Sequence, residues 1–404
     1  MRFALCFLLA VISVANAVDE ESYSLAYVTA IWRHGDRAPE TLPYPNDKYT
    51  EDYWPRGYGE LTSEGMVMLH ELGSFFRKEY VPNFVNETYN YDAIYVRSTD
   101  ANRALVSAQA FLNGFYPPVG HAVWKEGLNW QPIAVHGNSP GTPDPLLRPT
   151  DLVCDAYDKH WKKVKKEVYE TLQTKYGDVL QVLAENTGYG NAMSVHQATK
   201  LIDITREVAH NLSQPAWVTK TWPNHDNNST LDIITELYRY RRMAQFTDDK
   251  LNHLRGGFLL NNILEQIHNV TKGVQGSRKM VLYSSHDGTL LSLLYAMNVA
   301  DGQLIPYAAA IIFEVLQNEN GYHVQIKYRY KGNIKIVQIP GCTQPCPAKS
   351  FIALLAPKAI KSEKDLKDDC SDKFLRGQLI GGYNSSSGKS LFVAMLMTIG
   401  FYFL

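Results

Sequence analysis

The chain has 404 residues, of which 45% are hydrophobic and 20% charged, with a formal net charge of −1. That usage belongs to a globular protein with a full-sized core and excludes a disordered chain. Near-neutral charge leaves no global field to hold nucleic acid or an anionic membrane surface, so any affinity for anions has to be local.

In chain order, Arg2, the apolar run Phe3 to Val14 and the small residues Ala15-Asn16-Ala17 predict a cleaved signal peptide over 1–17, and with it entry into the secretory pathway. Leu25 to Trp32 predicts a strand that runs into Arg33-His34-Gly35-Asp36-Arg37-Ala38-Pro39. A histidine between two arginines is a nucleophile in an anion-binding pocket: the guanidinium forks grip phosphate oxygens while the imidazole nitrogen faces phosphorus. The pattern points to phosphoryl transfer through a phosphohistidine. Gly35 is expected to let the backbone turn, and Asp36 to support the site from behind. Thr62 can cap a helix whose apolar face carries Met66, Leu69, Leu72 and Phe76.

Ala93 to Val96 predicts a second strand, before Arg97-Ser98-Thr99-Asp100. Residues 155–253 turn mostly helical and read as a smaller domain inserted between 18–154 and 254–380. The Lys162-Lys163-x-Lys165-Lys166 cluster in it reads as a solvated helix face. Met280 to Ser285 predicts a third strand, ending at His286-Asp287, with a helix starting near Thr289. In an open α/β sheet, ligands bind beyond the carboxyl ends of strands, so the three polar motifs are expected to converge. Ala309 to Gln317, Tyr322 to Tyr330 and Ile334 to Ile339 predict an antiparallel meander at one sheet edge, with turns at Asn320-Gly321 and Gly332-Asn333. At the end, Asn384 to Ser390 and the apolar Leu391 to Leu404 fit either a GPI-attachment signal or a single C-terminal span; 381–404 is thus the segment expected to attach to a membrane.

The residues assigned to chemistry are few. His34 is the nucleophile, kept neutral by the guanidinium groups around it. Arg33, Arg37 and Arg97 form the phosphate pocket, with His286 as a further donor. Asp287 is the general acid, and could also cap the helix that follows it. Gly137-Asn138-Ser139-Pro140-Gly141 has the Gly-x-Ser-x-Gly spacing of serine hydrolases but lies in a Pro-rich loop without the strand-to-helix context. No metal-binding or nucleotide-binding motif occurs, so no metal and no cofactor are expected.

Of the five cysteines, Cys6 falls in the signal segment. Cys154, Cys342, Cys346 and Cys370 admit three pairings; the short loop bent by Pro345 favours Cys342 with Cys346, leaving Cys154 with Cys370. Asn86, Asn211, Asn227, Asn228, Asn269 and Asn384 head glycosylation sequons, as expected for an extracellular or cell-surface protein.

The ordered set of Arg33-His34-Gly35-Asp36-Arg37-Ala38-Pro39, Trp54-Pro55 before Gly57-x-Gly59-x-Leu61-Thr62, Arg97-Ser98-Thr99-Asp100, His286-Asp287 and Pro340-Gly341-Cys342 resembles the histidine acid phosphatases, from about Ser24 to Cys370. The resemblance implies a mixed sheet flanked by helices, phosphoglycerate mutase-like, with the helical insert. It implies a cofactor-independent acid phosphatase acting on small phosphate monoesters, and the same cysteine pairing. It leaves a homodimer open, and makes a lysosomal location the lesser expectation beside an extracellular one. Trp217 falls where family members carry an aromatic residue at the pocket mouth; core packing in the helical domain is the competing reading. One further cysteine pair of the prostatic type is absent here.

Overall fold

The computed structural model describes residues 22–249 and 251–371. The signal segment, the 381–404 tail and Asn384 lie outside the described residues.

A seven-stranded mixed sheet organises the chain. Its strands are β1 (Ser24–Arg33), β2 (Ile94–Ser98), β3 (Met280–Ser285), β4 (Ala310–Asn318), β5 (Gly321–Tyr330), β6 (Asn333–Val337) and the short β7 (Cys346–Pro347). The order is β2-β3-β1-β4-β5-β6, with β7 against β5. β2, β3 and β1 run parallel, β4 pairs antiparallel with β1, and the meander β4-β5-β6 alternates in direction from strand to strand. The expected strand segments therefore stand within a few residues of where the sequence places them.

The helices are α1 (Ser63–Tyr80), α2 (Asn102–Phe115), α3 (Asp155–Lys175), α4 (Gly177–Thr187), α5 (Val195–Lys200), α6 (Ile204–Ala209), α7 (Thr230–Ala244), α8 (His253–Thr271), α9 (Asp287–Ala296), α10 (Ala348–Leu355) and α11 (Glu363–Cys370). Thr62 caps α1 by accepting from the Gly65 amide, and Leu69, Leu72 and Phe76 are buried while Met66 stays at the rim. That face and α2 cover one side of the sheet, where Trp32 stacks on Phe111 at 4.3 Å. α8 and α9 cover the other side around Ile263, Leu290 and Phe313. Each fully buried side chain of this size contributes about 2–3 kcal/mol, so both faces are anchored to the sheet independently.

The helices between Asp155 and Ala244 pack on an apolar cluster of their own, including Leu172, Tyr176, Leu183, Ile233 and Leu237. Trp217 belongs to this cluster, edge-on to Tyr44 at 5.6 Å. It packs in the helical core. Disulfides join Cys154 to Cys370 and Cys342 to Cys346, with Cα–Cα distances of 4.6 and 5.5 Å. Asn86, Asn211, Asn227 and Asn269 are exposed and Asn228 is half-buried, held in a two-residue ribbon opposite Trp222.

Candidate active site

Because β1, β2 and β3 are parallel, their carboxyl ends meet at one edge of the sheet. Arg33 stands opposite Ser285 and Ser98 opposite Ser284 in the ladder. The next residue of each strand continues the pairing: the His34 amide donates to Ser285 O at 2.9 Å and the Thr99 amide to Ser284 O at 3.2 Å. His34 and His286 are thereby neighbours, with ring centroids 5.4 Å apart.

His34 is 3% exposed. Its Nδ1 lies 2.8 Å from the carbonyl of Gly35. Since a carbonyl only accepts, the proton belongs on Nδ1, and the lone pair on Nε2 faces the site. Arg103 Nε donates toward that lone pair at 3.3 Å. Burial first, then Arg33, His286 and Arg103, hold the imidazole well below the ordinary histidine pKa, and the Gly35 carbonyl offsets only part of this. A neutral ring persists into acid.

Gly35 does not have a positive φ, which corrects the expectation that it is needed for a turn. A Cβ there would lie 2.2 Å from the carbonyl oxygen of Gly65. Close approach of the β1 end to the first turn of α1 is what demands glycine. The same junction holds Asp36, whose Oδ2 accepts from Thr62 Oγ1 at 2.8 Å and from His210 Nε2 at 2.6 Å. One carboxylate thus ties the nucleophile loop to the α1 cap and to the helical insert.

His286 Nε2 pairs with Thr99 Oγ1 at 2.9 Å. Burial and the positive charges of Arg103 and Arg148 bring its pKa down to about 3, so its ring is neutral. Asp287 is the first residue of α9, and His286 rather than Asp287 holds the cap position. The helix starts two residues before the predicted Thr289, and the Asp287 carboxylate does no capping. It accepts instead from Arg242 Nε of α7 at 3.0 Å. Burial pushes this carboxyl up, but Arg242 and then Arg33 overcome it and hold it well below the usual carboxylate range. Gly288 makes the contact sterically possible, because a Cβ there would meet Arg242 Nη2 at 2.6 Å.

The arginines are distributed differently from the sequence reading. Arg33 reaches back to Ile305 O at 2.5 Å and stacks on the Tyr307 ring at 3.8 Å. Arg37 is within 3.4 Å of Glu40 and 3.7 Å of Asp203. Arg97 is not brought to His34: its Nη2 donates to Asn138 Oδ1 at 2.8 Å and pairs with Asp144 at 3.0 Å. Register is the cause: Arg97 stands opposite Tyr283, two residues short of Ser285, which pairs with Arg33. Val96 and Ser98 are buried on one face of β2, and Arg97 points from the other with Tyr95. The guanidinium against His34 comes from Arg103 in the first turn of α2, which the sequence reading missed. An arginine five residues past a strand end carries no signal of its own. Arg242, in a charged stretch of the insert, was missed for the same reason. Glu40 completes the cluster, its Oε1 standing 3.4 Å from both Arg37 and Arg103. No cluster able to hold a metal occurs among the described residues.

A buried neutral histidine with its Nε2 lone pair turned to the site, ringed by guanidinium groups and faced by a carboxylate, can accept and release a phosphoryl group. Residues 24–329 match the model of the histidine phosphatase superfamily, branch 2. The chain belongs to this family. It is 36% identical to the prostatic acid phosphatase of Bos taurus over 82% of its own length and 85% of that protein's. It is 34% identical to the lysosomal acid phosphatase of Xenopus laevis, over 88% and 82%. Among solved structures, the apo phytase of Hafnia alvei superposes with a TM-score of 0.65 at 18% identity, covering 85% of this chain and 98% of that one, a likeness of fold. This histidine phosphatase is an enzyme, and the mixed sheet flanked by helices is the fold its sequence implied.

Proposed function

We propose that the protein is an acid phosphatase that hydrolyses phosphate monoesters by two in-line displacements through a phosphohistidine at His34 Nε2. The observation that carries this reading is the Gly35 carbonyl on Nδ1, which fixes the tautomer and leaves Nε2 as the attacking atom. In the first step the Nε2 lone pair attacks phosphorus, the ester P–O bond breaks, and the departing alkoxide takes a proton from Asp287. In the second, water attacks the phosphohistidine, Asp287 takes a proton from that water, and the P–N bond breaks. Inorganic phosphate leaves and neutral His34 is restored.

Arg33, Arg37 and Arg103, with the neutral His286, hold the phosphoryl oxygens, on which charge spreads in the transition state. Arg103 takes the place expected of Arg97. Asp287 has to be protonated to act as the acid, and in the free protein Arg242 keeps it ionised. A bound phosphate adds negative charge beside it and draws on Arg33, and both effects raise its pKa. Turnover is therefore favoured in acid, where His34 remains neutral. A signal segment and exposed sequons fit secretion to the cell exterior.

The test is p-nitrophenyl phosphate hydrolysis against pH in the presence of EDTA, beside His34→Ala. The acid limb of kcat/KM should fall well below the ordinary histidine value of about 6.5. His34→Ala should lose at least about 10⁴-fold in kcat. Folded wild-type protein without activity, or a mutant that retains it, would overturn the reading.

A further inference from the structure

One buried guanidinium has no work in this mechanism. Arg329 is 8% exposed, and among the described residues its Nε has no hydrogen-bond partner. Its guanidinium lies over the Phe75 ring at 4.5 Å, and Glu71 is the acidic group that acts on it. A buried charge left without a close counter-ion is costly, and proteins keep one where a ligand completes it.

Arg329 lies in the wall of a cavity of about 550 Å³ between the helical insert and the sheet edge. Arg33 and Asp287 line the same cavity, as do Tyr307, Arg206 and Lys331. Two more buried donors in its wall lack partners, Arg33 Nε and the Tyr307 hydroxyl. The ladder fixes its extent: Arg329 pairs with Ala310 and Ala310 with Trp32, so two strand spacings, about 10 Å, separate Arg329 from the end of β1. Two of the other charges in the wall, Asp287 and Arg206, are already in ion pairs. Asp287 pairs with Arg242 and Arg206 with Asp203, leaving Arg329 and Lys331 to set the charge opposite Glu71.

In-line displacement sends the leaving group away from His34 Nε2, and the proton donor marks that side. The cavity opens from Asp287. We propose that it receives the leaving group, and that Arg329, assisted by Lys331, binds a second anionic group on it. The preferred substrates are phosphate monoesters whose alcohol carries a carboxylate or a second phosphate several atoms from the ester oxygen. This rests on the phosphohistidine reading above.

The experiment is kcat/KM for a series of ω-carboxyalkyl phosphates of increasing chain length against alkyl phosphates of matched length, with wild type, Arg329→Met and Lys331→Met. Wild type should prefer the carboxylated ester at an optimum length by about tenfold, the worth of one charge-assisted hydrogen bond. Arg329→Met should reduce that preference to within about twofold, and the exposed Lys331→Met should reduce it about threefold, with alkyl phosphates little changed in either. Should Arg329→Met not fold, the Lys331→Met ratio decides. No preference at any length, or a preference that survives both substitutions, overturns the proposal. So does a cavity that binds free glutarate while carboxylated esters gain nothing, since it would then be a separate anion site. Inactivity of wild type toward p-nitrophenyl phosphate would instead sink the phosphohistidine reading.

Discussion

The ends of β1 and β3 and the end of β2 occupy one edge of the sheet, yet they deliver side chains by different routes. β1 and β3 place Arg33-His34 and His286-Asp287 directly, because the ladder between them continues one residue past each strand through the His34 amide. β2 carries its arginine opposite Tyr283, two residues short of the level that Arg33 reaches, and commits it to Asp144 and Asn138. Its contribution comes a turn of chain later, from Arg103 on α2. Register along the ladder decides which side chains reach the edge: Arg33 and Ser285 share its last level, and Arg97 stands one pleat repeat before it.

Substitution of the two arginines breaks or sharpens that contrast. Arg103→Met should cost about 10²–10³ in kcat/KM, the usual loss for one preorganised donor to developing charge. Arg97→Met should stay within about fivefold in kcat/KM but lower stability by about 1–3 kcal/mol in urea titration, because the buried Asp144 loses its partner. Equal catalytic losses would return Arg97 to the pocket. At the β3 end, Asp287→Asn should slow alkyl phosphates by about 10²-fold and p-nitrophenyl phosphate by less than tenfold, since only a poor leaving group needs the proton. Losses independent of leaving group would leave Asp287 as a structural partner of Arg242.

The smallest expected effect concerns Glu40, the carboxylate shared by Arg37 and Arg103 in the free protein. A resident anion competes with phosphate for both guanidinium groups. Glu40→Gln should therefore tighten inhibition by inorganic phosphate by about threefold to tenfold, of the order of one partly exposed ion pair. A weaker inhibition would show that Glu40 instead holds the two arginines in place.

Much of the fold was legible along the chain because strand and helix periods are local. The three parallel strands, the meander and the Thr62-capped α1 stand close to their predicted positions. His34 stood out for a chemical reason, since histidine between arginines has few other uses. Gly35 was placed in the right motif for the wrong reason: backbone contact with Gly65, far along the chain, is what requires it. Asp287 was found, but its pairing with Arg242 was not, because the partner comes from the helical insert.

The sequence by itself determined the strand–motif–helix order, the histidine set between arginines at the end of β1, and the cysteines available to bond. Those follow from residue type and short-range spacing. Tertiary structure alone decided which arginine faces His34, what holds Asp287 ionised, and that Arg329 lies unpaired in a cavity opening from the reaction centre. These are properties of surfaces brought together from distant segments, and electrostatic energy depends on distance in space rather than on separation along the chain.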